Sequence, residues 1–159
     1  MNKQPNSRFC FLCGIENDHG LHLSWYNDEE NEMVRTKLVV PDYYCGYPGI
    51  THGGIVSALL DETSYRAIMF KDGEAFMVDR FYVTANMNIR FRRPTPTGQP
   101  LTVVGWIELA KNNRVRVAAE IRLEDGTVTA SCEALMAKAP KKMAGCFEDM
   151  GESWTIYPV

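Results

Sequence analysis

The sequence predicts an α+β domain in which one long helix is wrapped by a curved antiparallel sheet of about five or six strands. Three observations carry this. Residues 53–70 have the length of a helix, with apolar side chains around most of its circumference, the pattern of an enclosed rather than a surface helix. Residues 81–91 then alternate between apolar and polar. The strand-like stretches after residue 81 follow one another with only hairpin turns between them, which requires antiparallel pairing.

Taken in order, residues 1–19 read as an irregular N-terminal extension that contains Cys10 and Cys13. A domain follows over residues 20–139, and 140–159 form a tail whose pattern assigns it no place. Leu21, Leu23 and Trp25 alternate with His22 and Ser24, which predicts a short strand. Residues 27–31 (Asn-Asp-Glu-Glu-Asn) predict a turn, and 33–40 a second strand that Pro41 and Asp42 stop. A loop rich in Tyr, Gly and Pro leads to the helix, which Lys71-Asp72-Gly73 ends. From Phe81 to Phe91 the odd positions (Phe81, Val83, Ala85, Met87, Ile89, Phe91) form an apolar face. The even ones, from Tyr82 and Thr84 to Arg90 and Arg92, form a polar face. Pro94 and Pro96 close that strand. Residues 101–109, 115–123 and 128–138 supply three more, linked by Lys111-Asn112-Asn113 and Glu124-Asp125-Gly126. One helix cannot cover both faces of such a sheet, so the outer face calls for a second subunit.

A chain of 159 residues fits one domain and can bury roughly two-thirds of its unfolded surface. The formal net charge of −3 gives no case for a nucleic-acid partner. The start, Met1 to Arg8, is polar, and no apolar run approaches the roughly 20 residues of a membrane span. Five cysteines are an odd number and read as reduced thiols, so a cytoplasmic protein is expected.

The chemistry concentrates between Gly46 and Glu62. His52-Gly53-Gly54 opens the helix, and Asp61 follows within it. Glycines at a helix start let a ligand approach backbone amides that have no intrahelical partner and carry the positive end of the helix dipole. Such amides suit an oxyanion, and an enclosed carboxylate suits attack on a carbonyl or activation of water, which together indicate acyl transfer or hydrolysis. Gly54 and Asp61 lie on one helix face, roughly 10 Å apart along the axis, too far to act on one carbonyl. Two antiparallel helices across a twofold axis would bring Asp61 of one chain to Gly54 of the other, so the site is expected to be shared between subunits. Glu62 stands four residues before Arg66, an ion-pair spacing, and is assigned that structural role. His52 either caps the helix or hydrogen-bonds near the reacting group. Cys10, Cys13, His19 and His22 are all competent zinc ligands, but the spacing between the pairs is short and irregular, and no metal is expected.

Four passages carry a family resemblance. They are Cys10-Phe-Leu-Cys-Gly-Ile-Glu-Asn17 with Gly20-Leu21, His52-Gly-Gly with Asp61, the run from Val83 to Pro94, and the strand pair after it. On these the chain resembles the hot-dog fold acyl-CoA thioesterases, in the branch that includes the phenylacetate-pathway thioesterase and the mammalian thioesterase-superfamily proteins. The resemblance implies a hot-dog fold, homodimers or homotetramers, CoA thioester substrates and no cofactor. It places the catalytic carboxylate at Asp61, as general base or nucleophile, with Gly53 and Gly54 as oxyanion donors and Thr84 positioning water. It also supports Arg90, Arg92 and Arg114 as ligands of the CoA phosphates, which guanidinium groups grip in pairs of hydrogen bonds. Alternatives are a hot-dog dehydratase or hydratase, to which Tyr47-Pro48-Gly49 bears some likeness, and a non-catalytic acyl-CoA-binding module. Tyr43, Tyr44, Tyr65, Met69, Phe70 and Phe76 are candidates to line the acyl pocket.

Overall fold

Twenty consecutive residues, Gly53–Asp72, form the long helix α1 of the computed structural model, which describes residues 1–72, 81–139, 143 and 154–157. From Ile55 to Phe70 no helix residue is fully exposed. Val56, Leu59, Leu60, Ala67, Ile68 and Met69 are buried, which confirms the enclosed helix read from its composition. Thr63 and Ser64 are buried too, and their hydroxyls donate back to the Leu59 and Leu60 carbonyls at 2.7 and 2.8 Å. The helix can therefore turn polar residues into the core without leaving them unpaired.

The sheet has seven strands rather than five or six. In chain order the strands are β1 (Asn2–Lys3), β2 (Asn6–Ser7), β3 (Tyr26–Asp28), β4 (Met33–Val39), β5 (Cys45–Tyr47), β6 (Ile50–Thr51), β7 (Tyr82–Phe91), β8 (Pro100–Lys111), β9 (Arg114–Leu123), β10 (Val128–Lys138) and β11 (Trp154–Thr155). The main sheet runs β1-β3-β4-β8-β9-β10-β7, with antiparallel neighbours throughout. β2 pairs with β11, and β5 with β6, in two small ladders. β4, β7, β8, β9 and β10 all pack on α1, so the sheet curves around the helix. Residues 1–19 supply β1 to this sheet and Leu12 and Cys13 to the core.

Three local expectations need correcting. Leu21 to Trp25 do not form a strand. Leu23 and Trp25 are buried as their alternation suggests. His22, however, sits at φ 51°. The Leu21 and Leu23 amides donate to Phe11 and Leu12 of the N-terminal segment rather than to a ladder. The strand runs instead from Tyr26 to Asp28, overlapping the first two residues of the stretch read as a turn, and the turn follows it. The Tyr- and Gly-rich loop also holds a 3₁₀ turn (Asp42–Tyr44) and the β5-β6 hairpin.

The third correction bears on function. Leu135 of β10 pairs with Asn86, but Met136 pairs with Thr84, leaving Ala85 as a bulge. One extra residue reverses the side-chain phase along a strand. Met87 and Ile89 face the core as expected. Below the bulge it is the even positions, Tyr82 and Thr84, that turn inward toward α1. Thr84 therefore does not share a face with Arg90.

Candidate active site

α1 and the edge strand β7 position Asp61. The Thr84 hydroxyl, turned inward by the bulge, donates to Asp61 Oδ1 at 2.7 Å. Asp61 is half-buried and lines a cleft of about 360 Å³ with Cys10, Glu62, Tyr65, Tyr82, Thr84 and Trp154 among its walls. Glu62 holds the role read for it, because its Oε1 accepts from Arg66 Nε at 2.8 Å. Arg66 is fully buried between the Trp25 and Trp154 rings, 4.9 Å from each, and also donates to the Pro5 carbonyl. Next to this pair, the Cys13 thiol donates to Cys10 and lowers Cys10 to about 7. The same hydrogen bond, together with burial, pushes Cys13 upward.

The start of α1 lies in a second cleft of about 650 Å³, between His52, Gly53 and Val56 on one side and Phe91, Arg92, Arg93 and Pro94 on the other. His52 caps the helix, its Nδ1 accepting the Gly54 amide at 2.9 Å. The ring's hydrogen, in the neutral form, is then on Nε2. A Cβ on Gly54 would lie 3.0 Å from that nitrogen, so a larger residue there would press on the capping ring. Gly54 thus spends its N–H inside the chain. The Gly53 N–H has no acceptor among the described residues, and the Phe91 ring lies 3.7 Å from where a Gly53 Cβ would be.

The structure brings Asp61 and Thr84 together, and His52 with Gly53 and Gly54, but in one chain these are two clefts rather than one. It does not assemble the three arginines. Arg90 lines a groove on the outer side of the sheet with Arg92, Trp106, Glu108, Glu120 and Glu133. Arg114 pairs with Ala137 whereas Arg90 pairs with Ser131, positions about 20 Å apart along β10. Arg92 lies beside the Gly53 cleft and donates to Ser131 Oγ at 3.1 Å. Arg93, which strand alternation set on the opposite side, lines that cleft too. Of the pocket candidates, Tyr65 lines the Asp61 cleft, Met69 is core, Tyr43 is exposed, and Phe76 lies outside the described residues. The sequence reading missed Phe91 as a wall of the Gly53 cleft, although its place at the end of an alternating strand was legible. Cys10 beside Asp61 had no local signal.

A curved antiparallel sheet around one buried helix, with a His-Gly-Gly helix start and a helix carboxylate, defines the hot-dog class. The thioesterase superfamily model matches residues 48–130, and the chain belongs to that superfamily. An acyl-coenzyme A thioesterase, THEM4 of Xenopus laevis, is 27% identical over 104 residues, which are 65% of this chain and 43% of that protein. The chain therefore spans less than half the length of that relative. Among solved structures, a thioesterase superfamily protein superposes with a TM-score of 0.71 at 28% identity, covering 82% of this chain and 63% of the other. PaaI of E. coli, from the phenylacetic acid degradation operon, gives a TM-score of 0.60 at 16% identity, covering 69% and 74%. Zebrafish thioesterase superfamily member 2 gives 0.58 at 18% identity, covering 68% and 75%. The last two likenesses are of fold alone. No helix among the described residues is long and apolar enough to cross a membrane.

Proposed function

We propose that the protein hydrolyses acyl-CoA thioesters at a site shared by two copies of the chain. The hydrogen bond from Thr84 to Asp61 carries the reading. It fixes one carboxylate oxygen and leaves the other to take a proton from water, the geometry a general base needs. The Gly53 N–H, without an acceptor at the start of α1, is suited to the thioester oxygen as it becomes an oxyanion. Attack by the water forms the tetrahedral intermediate. Its collapse breaks the C–S bond, and CoA leaves as a thiolate that takes up the proton held on Asp61. Arg92 and Arg93, at the rim of the Gly53 cleft, are placed for CoA phosphates in preference to Arg90 and Arg114.

A shared site fits the two-cleft geometry. β7 is ten residues long and lies at the end of the sheet, and among the described residues no strand pairs with the outer side of its 83–91 stretch, which makes it a template for another strand. A second copy paired antiparallel along β7 would set the two α1 helices side by side in opposite directions. Asp61 of one would then face Gly53 of its partner. The dehydratase reading is less well supported, because the histidine it needs as a base is already used, through Nδ1, as a helix cap.

The test is thiol release from a panel of short, long, branched and aryl acyl-CoAs. Asp61→Asn should lower turnover at least about a hundredfold with the fold intact. Gly53→Pro should do the same, because proline at the first helical position keeps the helix but deletes the N–H. Binding of acyl-CoA without thiol release in the wild-type protein would replace this reading with that of a binding module.

A further inference from the structure

The geometry points to a zinc site formed by Cys10, Cys13 and Glu62 at the junction of the N-terminal segment and α1. The two Sγ atoms and a Glu62 carboxylate oxygen all lie within 4.8 Å of one another. In a tetrahedral zinc site such atoms are roughly 3.5–3.8 Å apart, given bonds of about 2.3 Å to sulfur and about 2.1 Å to oxygen. The adjustment is within the reach of side-chain rotation. His19 and His22, the partners suggested by the sequence, are exposed and outside the cluster, and His22 Nε2 is engaged with the Asn17 carbonyl at 2.6 Å.

The loop presents both sulfurs to backbone amides. The Leu12 amide donates to Cys10 Sγ and the Ser7 amide to Cys13 Sγ, both at 3.3 Å, the type of contact that stabilises negative charge on sulfur. Gly14 closes the Cys-x-x-Cys turn, its amide on the Cys10 carbonyl at 2.8 Å. A Cβ at Gly14 would come within 2.5 Å of Cys10 backbone atoms, so the turn requires glycine. Asn6 ties the turn to the core through the Cys13 and Leu23 carbonyls, each at 2.9 Å.

Charge balance is compatible with a bound cation. Arg66 is fully buried, with Nε on Glu62 and Nη2 left without a partner. With the two thiols deprotonated by metal binding, two thiolates, one carboxylate and this guanidinium sum to a charge of −2, which one divalent cation would cancel. Arg66 holds Glu62 through Oε1, an outer-shell contact that would orient the carboxylate for a metal. Cys13 is buried, while Cys10 borders the Asp61 cleft, which provides the entry path. A fourth coordination position would face that cleft and hold water. Binding would expel the two thiol protons, so affinity should rise with pH.

The experiment uses the intact chain, reduced and stripped with a chelator, then titrated with Zn²⁺ and, separately, Co²⁺. One Zn²⁺ per chain is expected, with cobalt–thiolate charge-transfer bands in the near ultraviolet. Cys10→Ser, at the more accessible ligand, should weaken the bands and lower affinity about a hundredfold or more, and Glu62→Gln about tenfold or more. Circular dichroism reports whether each variant is folded, and the stoichiometry of the wild-type chain tests the site without any variant. Failure to take up Zn²⁺ in the reduced state would overturn the proposal. So would uptake unchanged in folded Cys10→Ser, or a stable Cys10–Cys13 disulfide formed in place of metal binding. None of these readouts depends on thioester hydrolysis.

Discussion

Asp61 has two carboxylate oxygens, and Thr84 occupies one of them. That contact predicts a specific kinetic signature. Thr84→Val keeps the volume and removes the donor, so kcat should fall about tenfold with KM little changed, as expected when a hydrogen bond to a charged group worth about 1.4 kcal/mol is lost from the reacting complex. Equal loss in binding and turnover would argue against a positioning role. The sequence made Asp61, His52 and the glycines legible because all belong to one helix, whose period fixes their relations. It could not show that His52 consumes the Gly54 amide, since that depends on a ring orientation. Nor could it join Cys10 to Glu62, which only tertiary folding brings together.

Among the elements, β8 and β7 show how narrow the tolerances are. β8 crosses α1 at Gly105, where an added Cβ would lie 2.8 Å from Thr63 Cγ2 and 3.0 Å from the Thr63 carbonyl oxygen. Gly105→Ala should therefore cost about 1–3 kcal/mol, measurable as a lower urea midpoint at unchanged slope. Thr63 cannot rotate away freely, because its hydroxyl also accepts from Trp25 Nε1 at 3.0 Å. In β7 the eleven-residue alternation was legible, but the bulge at Ala85 was not. Alanine fits either face, and threonine is at home in strands whether it is exposed or hydrogen-bonded. The long strands β8, β9 and β10 announced themselves by alternation and turns. The N-terminal stretch did not, because its backbone bonds go to irregular partners such as Phe11 and Leu12.

For the molecule as a whole, a shared site makes a prediction that no single-chain site can imitate. Asp61→Asn and Gly53→Pro chains, each inactive alone, should recover activity when co-expressed. With random pairing, half of the dimers are mixed and each mixed dimer keeps one intact site, so about one quarter of wild-type thiol release is expected. No recovery in verified mixed dimers would place both groups in one chain's site. The outward-facing groove of Trp106, Arg90 and the glutamates bears on higher assembly, which sedimentation would report.

The sheet's two borders differ greatly in length: ten residues at β7, two at β1. A border of two residues offers too few backbone groups to capture another chain. In the proposed pairing each partner uses its long β7 border, so the first addition takes up the border best suited to edge-to-edge growth.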